Sequence, residues 1–369
     1  MRTPICKRLG IEVPIFAFSH CRDVVVAVSR AGGLGVLGAL AFTPAELERE
    51  LAWIDAHIDG KPYGVDVVMP ASSAGEVDKA ALEKMIPGGH RKFVADLLGR
   101  YEVPELPAGE QVETLLGWSQ AGGRSHADVA LAHPIRLLAS ALGPPPPDVI
   151  AAAHARGVPV AALVGTVAQA KKDVAAGIDI IVAQGTEAGG HTGEIGGMVL
   201  VPDVVDAVAP VPVLAAGGIA TGRQLAAALA LGAQGAWTGS VWLTVKEADV
   251  SPTLMAKILA ASSTDTVRSR ALTGKPARQL RTAWTEAWDG KESPGALPMP
   301  LQFMLTAEAQ TRVHRYAHHD GARALLGTPV GQIVGRLNEV RSVRDVIYAM
   351  VEELAEVVAR LGSLPSADE

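Results

Sequence analysis

Eight short apolar runs, each separated from the next by an amphipathic or turn-rich stretch, constrain this chain more than any other feature. They are Ile15–Phe18, Leu34–Leu37, Tyr63–Val68, Ile135–Ala139, Pro159–Val164, Ile178–Ala183, Val213–Ala215 and Gly235–Thr238. Most are nearly continuous in apolar residues, the pattern of strands buried on both faces of a parallel sheet. The stretches between them carry helix signals. Thr43 and Pro44 form an N-cap and a first-position proline, and Glu46 completes a capping box. Pro147-Asp148 opens a helix that stops at Gly157 after the stiff run Pro144–Pro147. Thr166 caps another that ends near Gly177, and Thr221 one that ends at Gly232.

Eight strands in βα alternation are the number that closes a (β/α)8 barrel; an open doubly wound sheet is the rival. Glycine-rich turns follow the sixth, seventh and eighth runs, and barrels often bind phosphate after strands seven and eight. A dinucleotide fold would put its glycine fingerprint after the first strand instead. The early Gly32-Gly-Leu-Gly35 leads into the second run and reads as a tight αβ turn. The expectation is therefore an α/β (β/α)8 TIM barrel with a helical insertion after strand 3 and a helical C-terminal lid or extension. In residue terms, 1–247 form the barrel with the insertion at 69–134, 248–322 a helical segment on the substrate side, and 323–369 helices packing back on the barrel. The last helix, about Ser342 to Leu361, suits either that covering role or a homodimer contact.

The bulk properties exclude several classes. The 369 residues are 49% hydrophobic and 20% charged, with a formal net charge of −6 and no dense Lys/Arg run, which argues against a nucleic-acid partner. Cys6 and Cys21 form no CxxC or CxxH pairing, so neither a zinc site nor a disulfide framework is expected. The N-terminus shows no signal-peptide pattern. The apolar stretch Val24–Leu40 is too short for a membrane span and is interrupted by Arg30. A cytoplasmic protein without a membrane partner is the expectation.

The chemistry concentrates in the turns. Gln184-Gly-Thr-Glu-Ala-Gly-Gly-His-Thr-Gly193 places one histidine, His191, beyond the end of the sixth run. Ala215-Ala-Gly-Gly-Ile-Ala-Thr-Gly222 follows the seventh run and opens a helix, and Trp237-Thr-Gly-Ser240 closes the eighth. Glycines there let backbone N–H groups approach an anionic ligand, and no lysine lies in these turns. Three such turns beside a histidine point to a phosphate-bearing cofactor with an acid–base residue at its side. Other residues carry competing readings. His20 is a helix-entry cap or surface residue, or a site residue. His133 is structural. His314 and His318 are a solvated i,i+4 pair, because no HExxH pattern completes them. Asp66 is a strand-end cap or a ligand contact, Trp237 is core or a cofactor wall, and Trp284 and Trp288 are packing.

Taken together these residues resemble the nitronate monooxygenases, FMN-dependent (β/α)8 enzymes once called 2-nitropropane dioxygenases. The matching pieces are Leu9-Gly-Ile-Glu-Val-Pro-Ile15, Val28-Ser-Arg-Ala-Gly-Gly-Leu-Gly35, Pro62-Tyr-Gly-Val-Asp66, Val182-Ala-Gln-Gly-Thr-Glu-Ala-Gly-Gly-His191, Pro212-Val-Leu-Ala-Ala-Gly-Gly-Ile219 and Leu272-Thr-Gly-Lys-Pro-Ala-Arg278. The resemblance implies His191 as catalytic base near the flavin, with Gln184, Gly189 and Gly190 as flavin contacts. It implies Gly217 and Gly218, with Trp237, Thr238, Gly239 and Ser240, as the phosphate cradle. Asp66 and the turn Ala17, Phe18 and Ser19 become contacts to the isoalloxazine ring. The implied reaction is oxidation of an alkyl nitronate with O2 to a carbonyl compound and nitrite, by way of a flavin semiquinone. The alternatives are an NAD(P)H-dependent flavin reductase of quinones or enoyl-type substrates, and a non-catalytic FMN-binding protein. The chain departs from the family at Ala17-Phe-Ser-His20, where many members have Gly-Gly-Met. It also departs at Asp66, where many have asparagine, and at Ala141, near which some carry a second histidine. Trp237 and Ser240 stand where the family's last turn has Gln and Thr.

Overall fold

The computed structural model describes residues 2–69, 79–110, 112 and 120–364. The eight apolar runs become eight parallel strands: β1 (Ile15–Ser19), β2 (Leu34–Gly38), β3 (Tyr63–Val67), β4 (Leu137–Ser140), β5 (Val160–Val164), β6 (Ile180–Gln184), β8 (Val213–Ala216) and β9 (Gly235–Thr238), with a two-residue extended piece, β7 (Gly190–His191), between β6 and β8. They form one closed barrel in sequence order, sealed by β1 pairing with β9, Ile15 opposite Ala236 and Ala17 opposite Thr238. The (β/α)8 barrel expected from the sequence is the fold. Inward positions such as Phe16, Leu34, Val36, Leu137, Ile180, Val182 and Leu214 fill the interior, and Ile5, Cys6 and Leu9 of α1 (Pro4–Leu9) join that cluster as a plug at the N-terminal end.

The remaining helices are α2 (Arg22–Arg30), α3 (Pro44–His57), α4 (Lys79–Met85), α5 (Gly88–Arg100), α6 (Gln120–Ala132), α7 (Pro147–Ala155), α8 (Val167–Ala175), α9 (Gly197–Val208), α10 (Gly222–Ala230), α11 (Pro252–Ala260), α12 (Ala283–Asp289), α13 (Leu301–Arg315), α14 (Asp320–Leu325) and α15 (Val343–Gly362). The capping box expected at Thr43 forms, and the N-cap Thr221 proves to belong to one as well. Thr43 Oγ1 accepts from Glu46 N while the Glu46 carboxylate takes Thr43 N, and Thr221 does the same with Gln224. Segment 69–134 is divided in its packing. α6 lies against β3, α3 and α7, the place of the barrel's third helix, whereas α4 and α5 pack on α13. At the other end of the chain, α15 packs between α10 and α2, so it stands where the barrel's eighth helix belongs. The approach of α15 is close: a Cβ on Gly222 would lie 2.3 Å from the Met350 carbonyl oxygen.

A second sheet crosses the C-terminal end of the barrel. β10 (Thr266–Ser269) and β11 (Ala277–Leu280) form an antiparallel hairpin, and β7 joins its edge with His191 opposite Ala277 and Gly190 opposite Arg278. Trp284 and Trp288 are buried in the core between this sheet and the C-terminal helices, as packing residues. Cys6 and Cys21 are buried free thiols. Among the described residues no helix is long and apolar enough to cross a membrane.

Candidate active site

A cavity of about 1120 Å³ opens at the carboxyl ends of the strands, where (β/α)8 enzymes carry their chemistry. A smaller hollow of about 600 Å³ at the N-terminal end, lined by Lys7, Arg8, Arg136 and Asp179, is too far from those strand ends to be the same site. The large cavity is walled by the barrel's top and roofed by α13 and residues 327–333. Of the residues singled out from sequence, Phe18 and Ser19 of β1 line it, as do Asp66 of β3 and Gln184 of β6. Gly189, Gly190 and His191 line it from the loop after β6, Gly217 and Gly218 from the turn after β8, and Trp237, Thr238, Gly239 and Ser240 from β9 and its turn. Ala17 is the exception. Alternation along β1 sends Phe16 and Phe18 inward and Ala17 outward, where it packs with Ile15, Val24 and Val28. The contact expected of Ala17 is not one its side chain can make.

His191 is held in place. Its Nε2 lies 2.7 Å from Thr273 Oγ1, on the hairpin that carries β11, and Thr273 Oγ1 in turn accepts from Lys275 N at 3.3 Å. Burial, with a smaller contribution from Lys275, pushes the imidazole pKa down to about 4, so it is neutral at neutral pH. The loop carrying it is pinned from several sides. Arg278 Nε donates to the Thr186 carbonyl at 2.8 Å, Gln332 N donates to the Glu187 carbonyl at 2.9 Å, and the Glu187 carboxylate takes Gly197 N at the start of α9. Gly189 owes its identity to this packing: a Cβ there would stand 2.8 Å from Gly331 N.

The two later turns form a cradle. Gly217 and Gly218 have φ of +102° and +70°, conformations that favour glycine. The backbone N–H groups of Gly217, Gly218, Gly239 and Ser240 donate to no other group among the described residues. Uncommitted donors on a cavity wall are what a phosphate needs, so the site fits a phosphate-bearing cofactor. The helix terminus next door has two of its N–H groups committed internally. The N–H groups of Ala220 and Thr221 both donate to Gln224 Oε1, at 2.9 and 3.1 Å. Ser240 Oγ accepts from Gly331 N at 2.9 Å, while Thr238 Oγ1 donates to the Phe16 carbonyl and accepts from Trp242 Nε1, a scaffolding role.

Asp66 sits on the floor of the cavity, in register with Gly38 of β2 and Ala139 of β4. It is 3% exposed and has no hydrogen-bond partner among the described residues, and desolvation pushes its pKa up to about 7. Trp237 serves both readings, buried against Phe16 and Phe18 with ring centroids 6.5 Å away and facing the cavity. His133, with Asp55 at 2.6 Å and Glu48 at 3.2 Å, is structural.

Sequence reasoning missed part of the wall. α13 presents Phe303, Thr306, Gln310 and His314 to the cavity. His314 is solvent-exposed, as expected, but it also lines the mouth of the cavity, and its surroundings push its pKa below the usual imidazole value. The 4-3-4 spacing of Phe303, Ala307, Gln310 and His314 marks one helical face, the only signal in the sequence. Thr273, Asp249 and His20 also reach the site. Among the described residues no cluster of His, Cys, Asp and Glu forms a metal site.

Comparison with known proteins agrees with this architecture. The sequence pattern of the nitronate monooxygenase family matches residues 9–353. The chain is 56% identical to Rv1533 of Mycobacterium tuberculosis, named as a monooxygenase, over 99% of both proteins. It is 29% identical to a Staphylococcus aureus protein named as a nitronate monooxygenase, over 96% of this chain and 98% of that one. Among solved structures, nitroalkane oxidase from Streptomyces ansochromogenes superposes with a TM-score of 0.81 at 28% identity, covering 97% of this chain and 99% of that one. FabK from Thermotoga maritima does so with a TM-score of 0.75 at 28% identity, covering 98% of each. The chain is an oxidoreductase enzyme that belongs to the nitronate monooxygenase family.

Proposed function

We propose that this protein is an FMN-dependent oxidoreductase that oxidises alkyl nitronates with O2 to a carbonyl compound and nitrite. The observation that carries the reading is the meeting, in one cavity, of the uncommitted N–H groups of two glycine turns with a neutral, rigidly held His191. Bound FMN would supply the electron-accepting chemistry, and the protein supplies binding, orientation and proton handling. Gly217, Gly218, Gly239 and Ser240 would hold its phosphate. Phe18, Asp66, Gln184 and Trp237 provide the walls against which its ring system would lie. His191, fixed by Thr273, takes the α-proton when the substrate arrives as a neutral nitroalkane; as an uncharged base it is ready for this at neutral pH.

The test is to load the protein with FMN and add propyl-2-nitronate without oxygen. Loss of the oxidised flavin absorption, followed by nitrite release on admitting air, is the expected result. A flavin that ignores the nitronate but bleaches with NADH would replace this reading with that of an NAD(P)H-dependent reductase of quinones or enones. Failure to retain FMN at all would remove the cofactor assignment.

A further inference from the structure

His20 follows β1 and lines the cavity beside Phe18 and Ser19. Its Nδ1 lies 2.9 Å from the Gly38 carbonyl oxygen. A carbonyl only accepts, so Nδ1 carries the proton, and in the neutral ring Nε2 carries a lone pair. The ring meets Phe18 edge-on with centroids 5.1 Å apart. A Cβ at residue 38 would stand 2.7 Å from it, so the glycine at 38 is what admits an imidazole here. The ring is clamped along its Nδ1 side, and Nε2 has no partner among the described residues. The walls around the ring desolvate it and lower the pKa of His20, against smaller opposing effects from Gly38 and Asp249, while the side chain stays accessible from the cavity.

The carboxylates around this corner favour protonation of His20 but disfavour an anionic ligand. Asp249 lines the cavity and acts on His20, and Asp66 lies on the strand that pairs with Gly38. The neighbouring Cys21 thiol donates to the Glu247 carbonyl, and burial raises its pKa. Among the described residues the one Lys or Arg lining the cavity is Arg315, and it is ion-paired with Glu110. Nothing at the His20 corner would neutralise an anion, and a lone pair repels one. Nitronate oxygens are acceptors only, so they cannot be the group that His20 meets.

We propose that His20 is a specificity residue: its Nε2 accepts a hydrogen bond from an O–H or N–H donor on the part of the substrate away from the nitronate, and this corner excludes a carboxylate there. The inference rests on the nitronate reading of the same site for its substrate, though not for the state of His20. It rests on the turn Ala17-Phe-Ser-His20 of this chain.

The experiment uses the FMN-loaded enzyme and three four-carbon nitronates, prepared from 1-nitrobutane, 4-nitrobutan-1-ol and 4-nitrobutyrate. The expected order of kcat/KM is hydroxyl over methyl over carboxylate, with about a fivefold gain for the hydroxyl, the size of one net hydrogen bond. His20→Ala brings the hydroxyl-to-methyl ratio to about one and raises the relative rate on the carboxylate. His20→Gln, which keeps an acceptor at similar reach, preserves part of the hydroxyl preference. An unchanged ratio in His20→Ala, an equal loss on all three substrates, or a loss of FMN affinity alone would overturn the proposal. In parallel, ¹⁵N spectra of the histidine-labelled enzyme, with the His20 resonances identified by their absence from His20→Gln, should show a neutral ring protonated at Nδ1 at pH 8. Its Nε2 resonance should move on adding butan-1-ol and stay still with butyrate. A ring protonated at Nε2, or a response to butyrate alone, would refute the assignment. If the enzyme turns over none of the nitronates, the nitronate reading fails and the spectra still decide the role of His20.

Discussion

Asp66→Asn isolates the cost of keeping a carboxyl on the cavity floor. Desolvation raises its pKa from 3.8 to about 7, and no cation or hydrogen-bond donor among the described residues offsets it. A shift of about 3 units at roughly 1.4 kcal/mol each gives about 4 kcal/mol between the protonated and ionised forms. Below about pH 4 the carboxyl is protonated in the folded and unfolded chain alike, and it does not affect stability. Between about pH 4 and 7 the unfolded chain releases the proton while the folded chain keeps it, so stability falls by roughly 1.4 kcal/mol per pH unit. Above 7 both forms are ionised and the loss stays near 4 kcal/mol. Asparagine does not titrate, so the stability advantage of Asp66→Asn should grow from near zero at pH 4 to about 4 kcal/mol at pH 8. With an unfolding entropy of about 2.1 cal/mol/K per residue, that is a Tm gap of about 5 °C for a chain of this length. Thermal melts of the flavin-free pair across this range are the assay. A Tm difference that is the same at both ends would show that Asp66 ionises normally, and the desolvated floor would have to be abandoned. Repeating the melts with FMN bound tells whether a ligand donor reaches the carboxylate, because such a donor would shrink the gap at high pH.

The other predictions concern the base, the cradle and the frame. His191→Ala should keep its FMN yet lose roughly 10²–10⁴-fold in kcat/KM on neutral nitroalkanes, with turnover of preformed nitronates largely intact. In the wild type the same kcat/KM should fall as pH drops through about 4, where His191 takes up a proton and ceases to be a base; retained activity in the variant would remove the assignment. Gly218→Val should purify with less FMN, since a β-branched residue is strained at φ +70° and disturbs the turn; equilibrium titration with FMN checks this, and unchanged affinity counts against the cradle. Gly222→Ala puts a methyl 2.3 Å from the Met350 carbonyl oxygen and 2.4 Å from Leu354 N, so α15 must shift. A loss of about 1–3 kcal/mol in chemical denaturation is expected, and no loss would mean that α15 is not seated on α10 as described.

The barrel was legible because each strand is a bounded apolar run, and the loops after β5, β6, β8 and β9 begin with glycine. Which face of a strand points inward was less so. In Ile15-Phe-Ala-Phe-Ser19 four apolar residues in a row leave no polar residue to mark the outer face until Ser19, and the family resemblance, which implied Ala17 as a contact, does not say which side of the strand it takes. The glycine turns and His191 could be found by local pattern, whereas what holds them could not. Thr273 reaches His191 across 82 residues of sequence, and His20 reaches Gly38 across 18. α13 has one face toward the cavity and another toward the core, with polar residues such as Gln302, Thr306 and Gln310 on both, so its periodicity says helix without saying which side meets a ligand. The commitment of the Ala220 and Thr221 N–H groups to Gln224 belongs to a capping box of which only the N-cap, Thr221, is read from the sequence. A box that satisfies a helix N-terminus internally withdraws those donors from an anion.

The part of the chain after β9 is a wall of the site. Three of its contacts are decisive: Arg278 on the Thr186 carbonyl, Gln332 N on the Glu187 carbonyl, and Gly331 N on Ser240 Oγ. The first two fix the loop that carries His191, and the third fixes the turn that forms the cradle. A Cβ on Gly331 would stand 2.6 Å from the Glu187 carbonyl oxygen and 3.0 Å from Gly189 N, so this approach tolerates no side chain. The loop that carries His191 and the turn of Gly239 and Ser240 are therefore tied to one backbone segment. Neither can move far without the other. Thr306 and Gln310 of α13 face the cavity from its roof, with Thr306 bonded to the Leu272 carbonyl. On this geometry, changes of specificity belong to α13 and to His20, and changes at residues 186–191 or 329–332 alter catalysis and cofactor retention together.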